Sequence, residues 1–247
     1  MNGVTVTVMT SRGLVRPGNE DRVGALGWLS PTEMDAPTML RRWASVPLVT
    51  AVADGLGGHR AGEVASRDAV AAVMADSTEL DSQDALADRI QAVHARLLAA
   101  GQEPGRVGMA TTLSVVVVLA DRVLLGNVGD SRIYYVEPGL VEQLSADDLD
   151  PLGTGALTQV LGGRPGEVVK PWTDSLPVRG NTRLLLCSDG LHSYLPAPRL
   201  RELATIPDHA AAVYELHRAV YEAGAPDNVS VCLVDITTPS PAEDTDD

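Results

Sequence analysis

Three apolar runs in this chain end on an aspartate beside a glycine, at Asp54-Gly55, Gly129-Asp130 and Asp189-Gly190. Two further acidic turns, Asn19-Glu20-Asp21 and Pro226-Asp227-Asn228, border strand-like segments. Taken singly, each is what a tight turn or cap uses, because Asp and Asn bond their own backbone and glycine tolerates positive φ. Five in one chain point instead to carboxylates delivered at strand ends toward shared hard cations. Mg²⁺ and Mn²⁺ take oxygen ligands, commonly one or two carboxylates per ion with carbonyls and waters. Two such ions about 3.5–4 Å apart, bridged by one carboxylate and one water, form a centre that cleaves phosphoesters. That chemistry also wants a fixed cationic fork for the phosphate, and Arg16, just ahead of "PGNED", is the candidate. An ion pair between Arg16 and Glu20 or Asp21 inside its own turn is the plainer reading, and spacing alone leaves it open.

Other chemistries fit less well. The five histidines, at 59, 94, 192, 209 and 217, show no paired zinc spacing, although His59 and His192 follow the two Asp-Gly turns. Cys187 and Cys232 sit inside apolar runs and read as reduced core residues. Neither lies in a phosphate-cradling loop, which disfavours a cysteine nucleophile, and no G-x-x-x-x-G-K-[ST] occurs. The net charge of −14 argues against nucleic acid or an anionic membrane as partner. No apolar stretch approaches the roughly 20 residues of a membrane helix, and the start of the chain lacks a signal-peptide pattern, so a cytoplasmic protein is expected.

The elements that must position these carboxylates can be read from periodicity. Of 247 residues, 45% are hydrophobic, with no Phe, so the core is built from Leu, Val, Ile and Ala. Residues 4–10 alternate as a half-buried strand, 22–28 form a second strand, and 29–46 read as a loop. Residues 47–54 have a buried-strand pattern, and a helix follows with Ala61, Val64, Ala65, Ala69, Ala72 and Val73 on one face. Asp81 is placed to cap a second helix carrying Leu86, Ile90, Val93 and Leu97, with Gly101 past its end. Hairpins are expected over 111–128 and 132–144, then an irregular stretch at 145–166 with a helical turn at 156–161. Strands at 167–173 and 182–188, a helix from Asp208 to Gly224 and a strand at 228–236 complete the order. Hairpin-linked strands beside paired helices predict an α+β layered fold, antiparallel sheets with helices packed outside, in one domain over 1–238. Residues 239–247 are acidic and read as a disordered tail.

The set "GLVRPGNEDR", "VADGLGGHRAGEVAS", "ATTLSVVVV", "GNVGDSRIY", "LLLCSDGL" and "PDNVSV", in this order, resembles the metal-dependent Ser/Thr protein phosphatases of type 2C, in their bacterial form. The resemblance runs from residue 11 to about 236 and implies two antiparallel sheets in a sandwich flanked by helix pairs. It also implies a cofactor of two Mn²⁺ or Mg²⁺ ions with a possible third, and phosphorylated protein substrates made by a Ser/Thr kinase. By matching position, Asp54 would bridge the two ions and the Gly55 carbonyl would bind one. Asp189 and Asp227 would hold the other, Glu20 and Asp21 would ligate directly or through water, and Arg16 would grip the substrate phosphate. Asp130, with Asp189, matches the place of a third ion.

Three departures from the family pattern stand out. Leu56 occupies the place where some relatives carry a histidine acting as general acid, which leaves a bound water or His59 for that task. The segment 145–163 is shorter than the helical flap usual in relatives, and the loop at 29–46 is longer. Two rival functions share the fold: a catalytically silent pseudophosphatase acting as a regulatory binding module, and a small-molecule phosphoesterase. The first predicts missing ligands, yet every matching acidic position is filled.

Overall fold

The computed structural model describes residues 2–238 apart from 46, 57–60 and 179. The chain opens with β1 (Gly3–Ser11), β2 (Arg22–Ala25), β3 (Trp28–Leu29), β4 (Thr38–Trp43), β5 (Leu48–Ala53) and the short β6 (Gly55–Leu56). Helices α1 (Gly62–Met74) and α2 (Gln83–Ala100) follow, then β7 (Ala110–Thr111), β8 (Leu113–Val118), β9 (Arg122–Val128), β10 (Arg132–Glu137) and β11 (Leu140–Gln143). After β12 (Leu161–Gly162), β13 (Trp172–Pro177) and β14 (Thr182–Cys187) come α3 (Asp189–His192), α4 (Ala197–Ala204), α5 (His209–Glu222) and β15 (Val229–Thr237).

Two six-stranded sheets, ordered β11-β10-β14-β15-β1-β4 and β13-β9-β8-β5-β2-β3, and a three-stranded sheet β12-β7-β6 hold these strands. Every pairing is antiparallel. Strands such as "LSVVVV" read as unbroken apolar runs because both of their faces are covered. Val116 and Val118 face the core shared with the other sheet, which includes Val6 and Leu184, whereas Leu113, Val115 and Val117 belong to the core shared with α1 and α2. Helices α4 and α5 extend the first of these cores through Leu200, Leu203, Val213 and Leu216. Glycine lets the helices approach the second sheet closely: a Cβ on Gly126 would lie 2.8 Å from Ile90 Cδ1 on α2, and one on Gly24 would lie 2.6 Å from Met74 Cε on α1.

Several expectations need correction. The segment 29–46 is not all loop, since Thr38–Trp43 forms an edge strand paired with β1. Its sequence hides this because a strand open on one side carries Arg41 and Arg42 among exposed residues. The strand at 22–28 is a hairpin, turned by Leu26 and Gly27 at φ 53° and 86°, as a type I′ turn demands. The helical turn at 156–161 is absent; Leu149 bridges Leu157 instead, and β12 follows. The strand at 167–173 lies at 172–177. Helix α2 is capped by Ser82, whose hydroxyl accepts from the Ala85 N–H at 3.2 Å, and not by Asp81. The Asp208 cap is as expected, accepting from Ala211 N–H at 2.7 Å. Cys187 and Cys232 are buried and free. Among the described residues no helix is long and apolar enough to cross a membrane. The acidic segment 239–247 lies outside the described residues.

Candidate metal centre

Asp54 follows β5, all of whose residues are buried. Its carbonyl accepts from Thr112 N–H at 2.9 Å and from the Thr111 hydroxyl at 2.8 Å, and its own N–H donates to the Thr112 hydroxyl at 3.0 Å. With both backbone groups engaged, the side chain leaves the strand in one fixed direction. Thr111 and Thr112 thus hydrogen-bond, as their place at a core strand predicts. Gly55 packs between the backbone of Gly62 and the Glu20 carbonyl, and a Cβ would stand 2.7 Å from that oxygen. Gly62 leaves room for the Glu20 carboxylate at the start of α1; a Cβ there would lie 2.8 Å from Glu20 Cδ. The Ser66 hydroxyl donates to the Glu20 carbonyl at 2.5 Å.

Asp21 is wholly buried at the entry to β2. Its Oδ2 accepts from the Ser188 hydroxyl at 2.7 Å, and its Oδ1 has no partner. Ser188 in turn accepts from Ser230 N–H at 3.1 Å, so β14, β15 and the Asp21 turn are joined through one hydroxyl. Asp189 opens α3, and Gly190 beside it presses onto the Asn228 carbonyl where no Cβ fits. Asp227 pairs with Arg16 at 2.7 Å. Asn228 ties the two turns together: its Oδ1 accepts from Glu20 N–H at 2.9 Å, and its amide donates to the carbonyls of Arg12 at 3.0 Å and Gly18 at 2.8 Å.

Charge confirms that these side chains share one region. Burial pushes the Asp21 carboxyl up to about 7 and the Asp54 carboxyl well above the carboxylate range. Asp54 is raised further by the charges of Asp21, Asp189, Asp130 and Asp227. Asp189 rises through burial and then the charge of Asp227, although a hydrogen bond with Asp54 opposes this. Asp130 is pushed up to about 6 by burial and by Asp189. Arg16 is held more firmly protonated by Asp227, with smaller contributions from Asp54 and Asp189. It therefore pairs across the site and not with Glu20 or Asp21 in its own turn. His192 donates from Nε2 to the Asp130 carbonyl at 3.0 Å, and burial and the Arg132 charge lower it to about 4, so it stands neutral beside the cluster.

Segments from five distant points of the chain therefore bring Asp21, Asp54, Asp130, Asp189 and Asp227 within electrostatic reach of one another, with Arg16 at the Asp227 end. Burying carboxylates together is unfavourable unless cations join them. The donors are all hard oxygens, and the unpartnered Asp21 Oδ1 is an acceptor with nothing to accept from. Among the described residues no three His, Cys, Asp or Glu side chains are already closed around one point. The fit to divalent ions rests instead on this donor set and the orphaned oxygen. Periodicity and motifs do not single out Ser188, Ser66 or the linking role of Asn228; a small polar residue next to Asp189 and to Asp227 is the signal that marks Ser188 and Asn228, and Ser66 has none. Gly57, Gly58 and His59 lie outside the described residues. A cavity of about 210 Å³ between the β2–β3 turn and β4, lined by Leu26, Trp28, Leu40 and Arg42 among others, contains none of these acids.

Residues 34–233 match the family model for protein phosphatase 2C. The serine/threonine protein phosphatase PstP of Mycobacterium tuberculosis is 31% identical over 245 residues, which is 92% of this chain and 44% of that protein. The chain thus spans less than half the length of that relative. The serine/threonine phosphatase stp of Listeria monocytogenes is 30% identical over 92% of this chain and 93% of its own length. Among solved structures, the catalytic domain of PstP in complex with two manganese ions is 28% identical with a TM-score of 0.78, covering 96% of this chain and all of that one. A bacterial serine phosphatase at 23% identity and a TM-score of 0.79 shares the fold.

Proposed function

This chain belongs to the protein phosphatase 2C family, and from that premise we propose that it is a metal-dependent phosphatase hydrolysing phosphoserine and phosphothreonine in proteins. The observation that carries the reading is the convergence of strand-end acids on one region: Asp21, buried with its Oδ1 unpartnered, lies near Asp54, Asp189 and Asp227, and Arg16 pairs with Asp227 at its edge. In this proposal Asp54, the Gly55 carbonyl, Asp189, Asp227, Asp21 and Glu20 hold two Mn²⁺ or Mg²⁺ ions, and Asp130 with Asp189 offers a place for a third. Bound ions of this kind acidify water and neutralise phosphate oxygens. Arg16 spends one guanidinium arm on Asp227 and keeps its remaining N–H groups for the substrate phosphate, which aligns phosphorus with the acids. Ser188 and Asn228 keep the acids in place. Leu56 offers no proton to the leaving group.

Residues 1–238 as one catalytic unit, a cytoplasmic setting and substrates supplied by a Ser/Thr kinase belong to the same proposal. The experiment is hydrolysis of a phosphothreonine peptide and of p-nitrophenyl phosphate with Mn²⁺, with chelator, and by Asp189→Asn. Chelation and the substitution should each cost at least about 100-fold in kcat. An inert wild type, or an Asp189→Asn protein with normal turnover, overturns the mechanism. Turnover of p-nitrophenyl phosphate alone favours a small-molecule substrate.

A further inference from the structure

Beside Arg16, the chain places two large aliphatic side chains in water: Leu14 is 63% exposed and Val15 69%. Single exposed apolar residues are ordinary, but these are adjacent in sequence and sit on a clamped backbone. Leu14 N–H donates to the Ala225 carbonyl at 2.8 Å, and the Asn228 amide grips the carbonyls of Arg12 and Gly18 on either side. Gly13, at φ 72°, packs so tightly on the Asp227 carbonyl that any side chain would collide. The same contacts that orient Arg16 and Asp227 thus fix Leu14 and Val15 outward, with no core for them to cover.

Resting on the phosphatase reading above, we infer that Leu14 and Val15 form an apolar lip that selects phosphopeptides carrying a large apolar residue next to the phosphoresidue. Reach supports this. Leu14 lies two residues from Arg16, at most about 7 Å along the chain, and an extended peptide advances about 3.3–3.6 Å per residue. A phosphate held at Arg16 therefore brings side chains one or two positions away onto the lip. Occupancy by a large apolar side chain removes apolar surface from water on both partners. Charged neighbours would gain nothing there, and acidic ones would meet the field of the carboxylate cluster.

The test compares phosphothreonine peptides that differ only in Leu or Ser at the residues flanking phosphothreonine, using wild type, Leu14→Ser/Val15→Ser and, as a surface control, Val107→Ser. Val107 is 79% exposed and lies outside the Arg12–Gly18 segment that carries the lip. Wild type should prefer the Leu peptides by tenfold or more in kcat/KM, expressed in KM. The double variant should lose that preference, and Val107→Ser should keep it. Binding of the fluorescein-labelled peptides to Asp189→Asn protein, read by anisotropy, should show the same ranking without turnover. Three results overturn the inference and leave the phosphatase reading standing: a wild type indifferent to the flanking residue, a preference that survives in the double variant, or a dimer that the double variant dissolves. A wild type inert toward all peptides and p-nitrophenyl phosphate overturns both.

Discussion

Ser188 is the residue on which the buried Asp21 depends most directly, since its hydroxyl donates into that carboxylate at 2.7 Å. Ser188→Ala should leave a second buried acceptor unpaired and cost about 1–3 kcal/mol in urea unfolding. Because it also frees a ligand candidate to rotate, Mn²⁺ affinity should fall about 10–100-fold by calorimetric titration. His217 offers a separate check away from the acids. Its Nε2 lies 2.7 Å from the Ser11 hydroxyl, which Tyr221 also reaches at 3.0 Å, and burial lowers its pKa to about 4. An exposed histidine titrates near 6.5, so between those values the unfolded chain takes up a proton that the native one refuses. Stability is therefore fully present above about pH 6.5 and declines toward pH 4, by up to about 3 kcal/mol from this group. His217→Gln should flatten that decline in urea titrations from pH 7 to 4. The acids themselves were legible from sequence because Asp beside Gly at a strand end recurs; Ser188 was not, because a serine there is equally at home in any turn.

At the scale of elements, α3 is four residues long and opens on Asp189. Gly190 makes that possible by lying against the Asn228 carbonyl, so Gly190→Ala must push the Asp227 turn away from Asp189. The expected result is about 1–3 kcal/mol of lost stability together with a loss of activity far exceeding it, seen by comparing thermal unfolding with steady-state rates. The long periodic elements were readable: α1, α2 and α5, and the paired strands from 113 to 143, all lie where apolar spacing puts them. What was not readable was short or peripheral. β4 exposes most of its residues, so no alternation marks it, and the 145–163 segment forms a Leu149–Leu157 bridge held by local turns that carry no periodic signal. Strand β13 follows Pro171 and ends on Pro177, and those prolines blur its bounds.

For the molecule as a whole, the acids come from residues 21, 54, 130, 189 and 227, so the site exists only when both large sheets have docked. Ions that bind the folded form alone stabilise it by mass action, about 2.7 kcal/mol at one hundred times Kd. Adding Mn²⁺ to chelator-treated protein should raise the Tm by roughly 5–10 °C in scanning calorimetry, given about 2–4 °C per kcal/mol at this size. Asp54→Asn should shrink that rise.

The rim strand β4 has one more consequence, for behaviour at high concentration. Its side away from β1 offers main-chain groups that another copy could adopt, and Trp43 adds an indole 68% exposed. Two copies meeting there head to tail would set Arg41 and Arg42 against their own counterparts, and neither arginine has an ion-pair partner among the described residues to mute that repulsion. Such a juxtaposition disfavours edge-to-edge pairing of two copies. Replacing both by valine should increase concentration-dependent association in sedimentation velocity relative to the parent protein, and added salt should move the parent in the same direction by a smaller amount.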